Sequence, residues 1–283
     1  MPRRLPIKPT AVWSIVKEIR AATEDFRPLL VAGPAEPSRA LRAELVRGGD
    51  EASVRDLSGR EVTRYDLEGA RVLLYVVDGA RPDAEDEEVL RRADRADVEV
   101  VCILLGEPPN EAVDVPHVLA TDVMSVPAGE ELPLEQIAER IAERSGDAGY
   151  VLAAKLPVLR RAVADDIVRG FARQNGILGA AIFIPGADLP VLTLNQIRMV
   201  LRIAAAYGEE LDRERALELL PIVAAGFGLR AVARELVAVV PLAGWAVKGA
   251  VAFAGTRALG EAAVSYFEKG GARGVARSVR SRS

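Results

Sequence analysis

The spacing of apolar residues near the start of the chain predicts an amphipathic helix. Within residues 10–25, Val12, Ile15, Val16 and Ile19 recur at intervals of three and four, while most intervening positions are polar or charged. This interval places the apolar side chains on one side of a helix. Such a helix either packs on its own domain or docks on a partner or a membrane surface.

Residues 28–145 alternate between short apolar runs and segments with helical spacing. The runs predict strands at 28–32, 53–57, 61–65, 71–77, 98–105 and 117–126, and the spacing predicts helices at 38–47, 83–96 and 134–144. Runs such as VLLYVV and VVCILL are apolar throughout, as expected of parallel strands buried on both faces. The pattern therefore predicts a three-layer α/β domain with a mostly parallel sheet, spanning residues 28–146.

Beyond residue 146 the pattern becomes helical, and Ala, Leu and Gly dominate. The sequence Thr193-Leu-Asn-Gln196 has the spacing of a capping box and predicts a helix that begins at Thr193. Leu194, Ile197, Val200, Leu201 and Ala204 would form its buried face, with Arg198 and Arg202 outside. These observations predict four regions: an N-terminal helix (1–27), the α/β domain (28–146), an apolar all-α domain (147–268) and a basic tail (269–283).

The stretch VAGPAEPSRALRAEL, residues 31–45, has the order of a phosphate-binding loop: a strand, a glycine, four residues and then a predicted helix start. Its chemistry departs from that motif. Pro34 and Pro37 carry no N–H to donate to phosphate, and Glu36 adds a negative charge. In the positions of the motif's second glycine, its lysine and its metal-binding hydroxyl, the sequence has Ser38, Arg39 and Ala40. We interpret Gly33, Ser38, Arg39 and Ala40 as positions of a degenerate loop.

The matches to the other sequence motifs of a nucleotide site are also weak. Two segments, Asp56-Leu-Ser-Gly59 and Asp66-Leu-Glu-Gly69, fit the loose pattern D-x-x-G, the second after a predicted strand. Where the guanine-reading N-K-x-D motif would follow the strand ending at Leu105, the sequence is GEPPNEAV. We therefore predict no catalytic residues, no nucleotide hydrolysis and no cofactor.

Composition and charge further narrow the kinds of site, partner and location that the protein can have. The chain has 283 residues, 50% hydrophobic and 5% aromatic, and its single Cys and single His make a Cys/His metal site improbable. Residues 1–150 carry 19 Lys and Arg against 30 Asp and Glu, a net charge of −11, whereas residues 151–283 carry 18 against 11, a net of +7. The two halves are expected to suit different partners. No apolar run follows the Met-Pro-Arg-Arg start, so no secretory signal is predicted.

Two stretches of the helical half carry a resemblance to a known family. They are IPGADLPVLTLNQIRMVLRIAAAYG, residues 184–208, and GWAVKGAVAFAGTRALGEA, residues 244–262. Over residues 175–267 the chain resembles the YcjF-like bacterial family of domains of unknown function, which are often fused to Era-like GTPase domains. The resemblance implies a helical, membrane-associated domain and supplies no catalytic residue. The first half resembles the fused GTPase domain only in layout.

The segment 236–256 is long enough to span a bilayer, but Lys248, Pro241 and Gly244 interrupt it. A spanning helix, a partly inserted hairpin and a soluble core remain as alternatives. Alanine recurs at every fourth position from Ala246 to Ala262, and such a stripe permits close packing of helices. It would be buried in its own bundle, used for self-association, or set against lipid.

The tail is basic, with no acidic residue after Glu268. It is either a solvated tail or a segment that binds anionic lipid headgroups; it has no aromatic residue for base stacking, so no nucleic acid is expected. The candidate residues for a membrane or partner surface are Lys248, Arg257, Lys269, Arg273, Arg277, Ala250, Ala254 and Ala258.

From these observations we expect a non-catalytic, membrane-associated protein of pseudo-GTPase type. The α/β half would bind a protein partner, and the helical half would dock on the cytoplasmic side of the cell membrane, peripherally or partly inserted. The alternative is a soluble, oligomeric regulator or scaffold of a true GTPase, located in the cytoplasm.

Overall fold

The structure, a computed structural model, describes residues 9–106, 113–127, 129–181, 189–212 and 244–270. The chain divides into two compact units. The α/β unit runs from Asp25 to Val163, and the helical unit combines residues 1–24 with residues 164–283. An α/β fold followed by a helical region, as the sequence predicts, is confirmed.

Five parallel strands form the sheet of the α/β unit: β1 (Leu29–Gly33), β2 (Val54–Ser58), β3 (Val72–Val77), β4 (Glu99–Leu105) and β5 (Val123–Val126). They lie in the order β2-β1-β3-β4-β5. The chain winds one way from β1 to β2 and then the other way from β3 to β5, so the winding reverses between β1 and β3. In doubly wound sheets of this order, ligands bind outside the carboxyl ends of the strands at that reversal.

Helices cover both faces of the sheet. One face packs with α4 (Ala84–Arg95) in a continuous core that includes Leu30, Leu73, Tyr75, Cys102 and Leu104. Residues of the alternate register, such as Leu29, Leu74 and Ile103, are equally buried. α2 (Ala35–Leu45) packs on β1 and β2, and α5 (Leu134–Ser145) packs on β3 and β4. All six residues of β3 are buried, which explains why its run has no polar position.

The prediction of a strand at 61–65 is wrong. Its second half belongs instead to a short helix, α3 (Arg64–Leu67). The Asp66 carboxylate accepts hydrogen bonds from the Thr63 N–H (3.0 Å) and the Thr63 hydroxyl (2.6 Å), which stabilises a helix start. Val62 is buried but Tyr65 is 80% exposed, so the run has no continuous apolar face to pair in a sheet.

The predicted strand at 117–126 is correct only over its last four residues. His117 has a φ of +66°, in the left-handed region that an extended strand does not use. Residues 120–122 then form a turn of 3₁₀ helix, and β5 begins at Val123.

The α/β unit continues past the predicted bound at residue 146. α6 (Gly149–Lys155) follows α5, and the Lys155 ammonium donates to Asp50 Oδ2 at 3.0 Å. The Lys155 carbonyl accepts from the Asp50 N–H at 3.0 Å. Leu156 and Leu159 beyond it are fully buried. These contacts hold residues up to 163 in the same compact unit as the sheet.

The helical unit contains α1 (Pro9–Glu24), most of α7 (Arg160–Ala181), α8 (Leu189–Ala206) and α9 (Gly244–Glu268). α1 packs against α8 and buries Val12, Ile15, Val16 and Ile19. Its Glu18 carboxylate accepts from Arg198 at 3.1 Å and from Arg202 at 3.3 Å. Of the alternatives for this helix, the structure therefore shows the one packed on its own unit.

The prediction that a helix begins at Thr193 is wrong, because α8 already begins at Leu189. Pro190 lies in the first turn, where a missing N–H costs no hydrogen bond. Thr193 is fully buried inside the helix. The amide of Gln196 does not reach back to cap a helix start; it donates to the Thr256 hydroxyl of α9 at 3.1 Å.

Glycines bring α7 and α9 together at close range. A Cβ built on Gly179 would lie 2.8 Å from the Ala252 Cβ, and one on Gly249 would lie 2.8 Å from the Gly176 carbonyl oxygen. Only residues without a side chain permit this approach. Buried amides bridge the same helices: Asn175 donates to Thr256 at 2.9 Å and accepts from Asn195 at 2.9 Å.

Candidate functional site

The predicted phosphate loop is not a loop in the structure. β1 ends at Gly33, Pro34 is the N-cap residue, and α2 begins at Ala35, three residues before the start that the motif order predicts. The N–H of Ser38 donates to the Pro34 carbonyl at 3.2 Å, as in a regular helix. A phosphate cradle needs several free backbone N–H groups facing one point. The first turn of α2 leaves only the N–H groups of Ala35 and Glu36 for that purpose, because Pro37 has none, and the Glu36 carboxylate opposes an anion there.

The degenerate loop positions have structural surroundings of their own. Ser38 is fully buried, and its hydroxyl donates to the Ala32 carbonyl at 3.2 Å. Arg39 and Ala40 lie exposed on α2. The serine that replaces the second glycine of the motif therefore ties the start of α2 to β1.

Protein atoms fill the space next to Gly33. A Cβ on Gly33 would lie 2.1 Å from the carbonyl oxygen of Val76 in β3, and its φ is +117°. The N–H of Gly59 donates to the Gly33 carbonyl at 2.8 Å, and a Cβ on Gly59 would lie 2.7 Å from the Ala35 Cβ. Both glycines are therefore required by close packing of the backbone.

The carboxylates of the two D-x-x-G segments serve local structure. Asp56 lies within β2 and accepts from the Ser58 N–H at 2.9 Å. Burial raises the pKa of Asp56, but hydrogen bonding with Ser58 and the charge of Arg42 outweigh it and leave the pKa lowered. Asp66 caps α3. The strand predicted to precede it is absent, as described above. Most of the segment that would carry a guanine-reading motif, 107–112, lies outside the described residues.

An acidic cleft of about 660 Å³ opens at the carboxyl ends of β1 and β3, where the winding of the sheet reverses. Gly33 and Pro34 form one side of it, and the start of α4 forms another. Two arginines, Arg60 and Arg92, line the cleft together with six acidic residues: Glu61, Asp78, Asp83, Glu85, Asp86 and Glu88. The excess of carboxylates opposes phosphate and favours a cationic ligand.

Hydrogen bonds fix the inner wall of this cleft. The Tyr75 hydroxyl donates to Asp86 Oδ1 at 2.8 Å, and burial, together with that carboxylate, raises the pKa of Tyr75 well above its ordinary value. Tyr75 therefore stays protonated and cannot act as a base near neutral pH. Arg92 donates to the Val62 carbonyl at 2.8 Å and to Glu61 at 3.1 Å, so its charge is partly neutralised.

The single cysteine does not supply a nucleophile. Cys102 is fully buried in β4, and burial raises the pKa of its thiol to about 12. The thiolate, which is the nucleophilic form, is therefore scarce at neutral pH.

The structure exposes the alanine stripe that the sequence indicates on α9. Ala246, Ala250, Ala254, Ala258 and Ala262 are all exposed. The opposite side of the helix is buried through Gly249, Ala252, Thr256, Leu259 and Ala263. Among the residues that the structure describes, the stripe is therefore not buried within the bundle, because glycines make the close contact with α7 instead.

The other candidate residues for a membrane or partner surface differ in their surroundings. Arg257 is exposed next to the stripe and donates to Glu261 at 2.7 Å. Phe253 is 36% exposed and lies beside Gly176 of α7. Lys248 is half-buried and Lys269 is exposed. Arg273 and Arg277 lie outside the described residues.

Sequence reasoning missed the acidic cleft and the buried amide network. The acidic residues of the cleft come from the separated segments 61, 78 and 83–88, which only the sheet order brings together. The polar residues of the network are spaced between apolar ones on three helices. A signal for the network existed in the sequence, since Asn195 and Gln196 interrupt the apolar pattern of α8.

None of the described helices has both the length and the apolar character required to cross a bilayer. Within the same ranges, no group of three or more His, Cys, Asp or Glu side chains is arranged to hold a metal ion.

Comparisons of the chain with models of known protein families, with curated proteins and with solved structures find no match.

Proposed function

We propose that this protein is a non-catalytic adaptor that associates with the cytoplasmic side of the cell membrane. The helical unit docks on anionic lipid through the exposed alanine face of α9. The α/β unit, which resembles a GTPase domain only in layout, binds a basic segment of a protein partner at the acidic cleft. The resemblance of residues 175–267 to YcjF-like domains supports this expected membrane role of the helical unit.

The observation that carries this proposal is the exposure of the alanine face. Five alanines line the outer side of a 25-residue helix. The charged residues on this side include Arg257 and Glu261, which neutralise each other. A face of small apolar residues with few charges can lie against lipid at low desolvation cost. Lys269 at the end of the helix and the basic tail add attraction to anionic headgroups.

The site in the α/β unit supports a role in binding rather than in hydrolysis. Pro34 and Pro37 remove N–H donors at the start of α2, which disfavours nucleotide. The nearby acidic cleft favours a basic partner.

Flotation of the full chain with vesicles tests the membrane proposal. We expect the protein to float with vesicles that contain about 30% phosphatidylserine and not with phosphatidylcholine alone. The double variant Ala254→Glu with Ala258→Glu is expected to remain at the bottom of the density gradient and not to float with the vesicles, since it places two carboxylates on the docking face. Ala40→Glu is the matched control, because Ala40 is also exposed on a helix; it should float like the wild type.

Failure of the wild type to float would refute membrane docking, and so would flotation of the double variant at the wild-type level.

The same alanine face also favours a second candidate function, a soluble oligomeric regulator or scaffold of a true GTPase. That candidate predicts that the wild type is an oligomer by light scattering and that the double variant is a monomer.

Calorimetry with GTP or ATP in the presence of Mg²⁺ tests the absence of nucleotide binding. We expect no heat of binding, because Pro34 and Pro37 remove N–H donors at the start of α2. A binding signal that disappears in Arg39→Ala would show that the degenerate loop still binds nucleotide, and the α/β unit would then need a different function.

A further inference from the structure

Two large apolar side chains lie exposed on the outer side of the contact between α7 and α9. Ile177 on α7 is 70% exposed, and Phe253 on α9 is also exposed. Phe253 packs beside Gly176, the residue that precedes Ile177, because a Cβ on Gly176 would lie 3.2 Å from the Phe253 Cβ. Large apolar side chains that lie exposed next to each other indicate a surface that another molecule covers.

The two helices run in opposite directions at this contact. Gly176 packs against Phe253. About two turns earlier on α7, Val168 packs against Gly260, which lies about two turns after Phe253 on α9. Positions toward the start of α7 therefore lie at the same level as positions toward the end of α9.

An arginine stands about one turn from each apolar residue, toward that same end of the helix pair. Arg173 lies four residues before Ile177, and Arg257 lies four residues after Phe253, so each arginine shares a helix face with its apolar neighbour. Both arginines are exposed. We call these four residues the seam surface. It is apolar at one end and cationic at the other, on both helices.

The two arginines differ in how their charge is compensated. Arg257 Nε donates to Glu261 at 2.7 Å, and an exposed pair of this kind contributes little to stability. Within the part of the chain that the structure describes, no group forms a hydrogen bond or ion pair with the Arg173 side chain. The seam surface therefore combines exposed apolar area with an uncompensated positive charge.

We infer that the seam surface docks on an anionic lipid layer, with Ile177 and Phe253 among the acyl chains and the two arginines at the headgroup phosphates. Long arginine side chains extend from an apolar contact to the polar headgroups, and each basic residue adds attraction to anionic lipid. Such a layer matches the apolar pair and the free charge of Arg173 together, which an uncharged apolar partner would not.

This inference rests on the proposed membrane docking and deepens it. The seam surface adjoins the alanine face of α9, since Ala250 lies about one turn before Phe253. The lipid contact then includes a second helix, α7. It also has a direction, because the apolar end of the seam surface enters the lipid more deeply than the arginine end.

Fluorescence of the dye NBD attached at residue 177 of the full chain tests the inference. Ile177→Cys is labelled selectively, because the single native cysteine, Cys102, is fully buried. The matched control is Leu119→Cys, since Leu119 is also an exposed apolar residue but belongs to the α/β unit. Phosphatidylcholine vesicles with about 30% phosphatidylserine should raise the emission at residue 177 several-fold and shift it to the blue, and leave residue 119 unchanged.

The arginine end of the seam surface has its own test. Arg173→Gln is expected to bind the same vesicles about fivefold more weakly than the wild type, because one basic residue is lost from the lipid contact. The matched control is Arg95→Gln, which removes an exposed arginine at the end of α4 and should bind as the wild type does. Sedimentation with sucrose-loaded vesicles at one fixed salt concentration measures these affinities.

The inference is overturned if the emission at residue 177 stays unchanged while the labelled protein floats with the vesicles; membrane docking would then stand with another contact surface. Equal changes at residues 177 and 119, or equal affinities of Arg173→Gln and Arg95→Gln, also overturn it, since they indicate nonspecific adsorption. A change at residue 177 that follows protein concentration without vesicles would show that a second copy covers the surface. If the protein does not float at all, the inference and the proposed docking both fail.

Discussion

Gly33 is subject to two constraints at once. Its φ of +117° lies in a region that other residues rarely adopt, and a Cβ there would lie 2.1 Å from the Val76 carbonyl oxygen. Because that oxygen belongs to the backbone of a central strand, it cannot move aside as the end of a flexible side chain would. The first glycine of the phosphate-loop pattern is thus explained by packing between β1 and β3.

Replacing Gly33 with alanine is therefore expected to lower the free energy of unfolding by about 2–4 kcal/mol. Gly69→Ala is the matched control. Gly69 also has a positive φ, +76°, but open space surrounds its Cβ position, so the expected loss is about 1 kcal/mol. Urea denaturation followed by circular dichroism measures both values. Equal losses would show that backbone conformation alone, and not contact with Val76, requires the glycine.

Ionisation of the Asp66 carboxyl group makes the stability of the folded state depend on pH. Burial raises the pKa of Asp66, but hydrogen bonds from the side chain and N–H of Thr63, with the charge of Arg60, outweigh it and hold the pKa below the ordinary 3.8. A carboxyl group whose pKa is lower in the folded state stabilises the fold above its unfolded pKa. That contribution disappears as the pH falls through the folded pKa.

Asp66→Asn is accordingly expected to cost about 1 kcal/mol of unfolding free energy at pH 7, as for loss of a helix cap. Between about pH 5 and pH 3 the variant should lose less further stability than the wild type, because the ionisable group is gone. Urea midpoints across this range provide the measurement. Glu139→Gln, at an exposed position of α5, should leave the pH dependence unchanged, and an unchanged profile in Asp66→Asn would contradict the assignment.

At the scale of secondary structure elements, the contact between α7 and α9 depends on where glycine stands in α7. Gly179 faces α9, and its Cβ position is 2.8 Å from the Ala252 Cβ. Gly170 lies nine residues earlier on the same helix, with nothing within 4 Å of its Cβ position. The two glycines therefore differ in packing, although both occupy a helix.

Alanine substitutions at these two glycines should have opposite effects. Gly179→Ala is expected to destabilise the protein by about 1–3 kcal/mol, because the helices must separate. Gly170→Ala should stabilise it by up to about 1 kcal/mol, because alanine favours the helix and costs less conformational entropy. Thermal unfolding followed at 222 nm compares the two. Stabilisation by both substitutions would mean that α7 and α9 do not pack as closely as the structure shows.

At the scale of the whole molecule, the helical unit is discontinuous in sequence. α1 lies at the start of the chain, yet it packs against α8, and Glu18 bridges Arg198 and Arg202. The α/β unit is inserted between α1 and the other helices. Removal of α1 would leave apolar surface of α8 uncovered.

A fragment of residues 160–283 is therefore expected to bind the dye ANS strongly and to aggregate. A second fragment, in which residues 9–24 precede it through a flexible Gly/Ser linker, should bind several-fold less dye and remain dispersed. Dye fluorescence and light scattering distinguish the two. If both fragments behave alike, α1 is not required to cover α8. Exposed apolar surface of this kind also binds vesicles, which is why flotation requires the full chain.

The sequence predicted the elements of the α/β unit wherever a long apolar run or a regular helical interval was present. β1, β3, β4, α4 and α5 lie within two residues of their predicted bounds. The failures were the two segments whose structure depends on local interactions. At 61–65 a capping interaction of Asp66 decided the structure, and at 117–126 the left-handed backbone of His117 delayed the strand. A pattern of apolar residues alone does not outweigh such local interactions.

The sequence by itself determined the two-part composition of the chain, the parallel α/β class of the first part and the helical character of the second, because spacing of apolar residues is a local property. Tertiary structure alone decided the strand order, the attachment of α1 to α8 and the exposure of the alanine stripe. It also brought acidic residues from separate segments together in the acidic cleft. Each of these depends on contacts between distant segments, and the free energies of those contacts are not encoded in any one stretch of the chain.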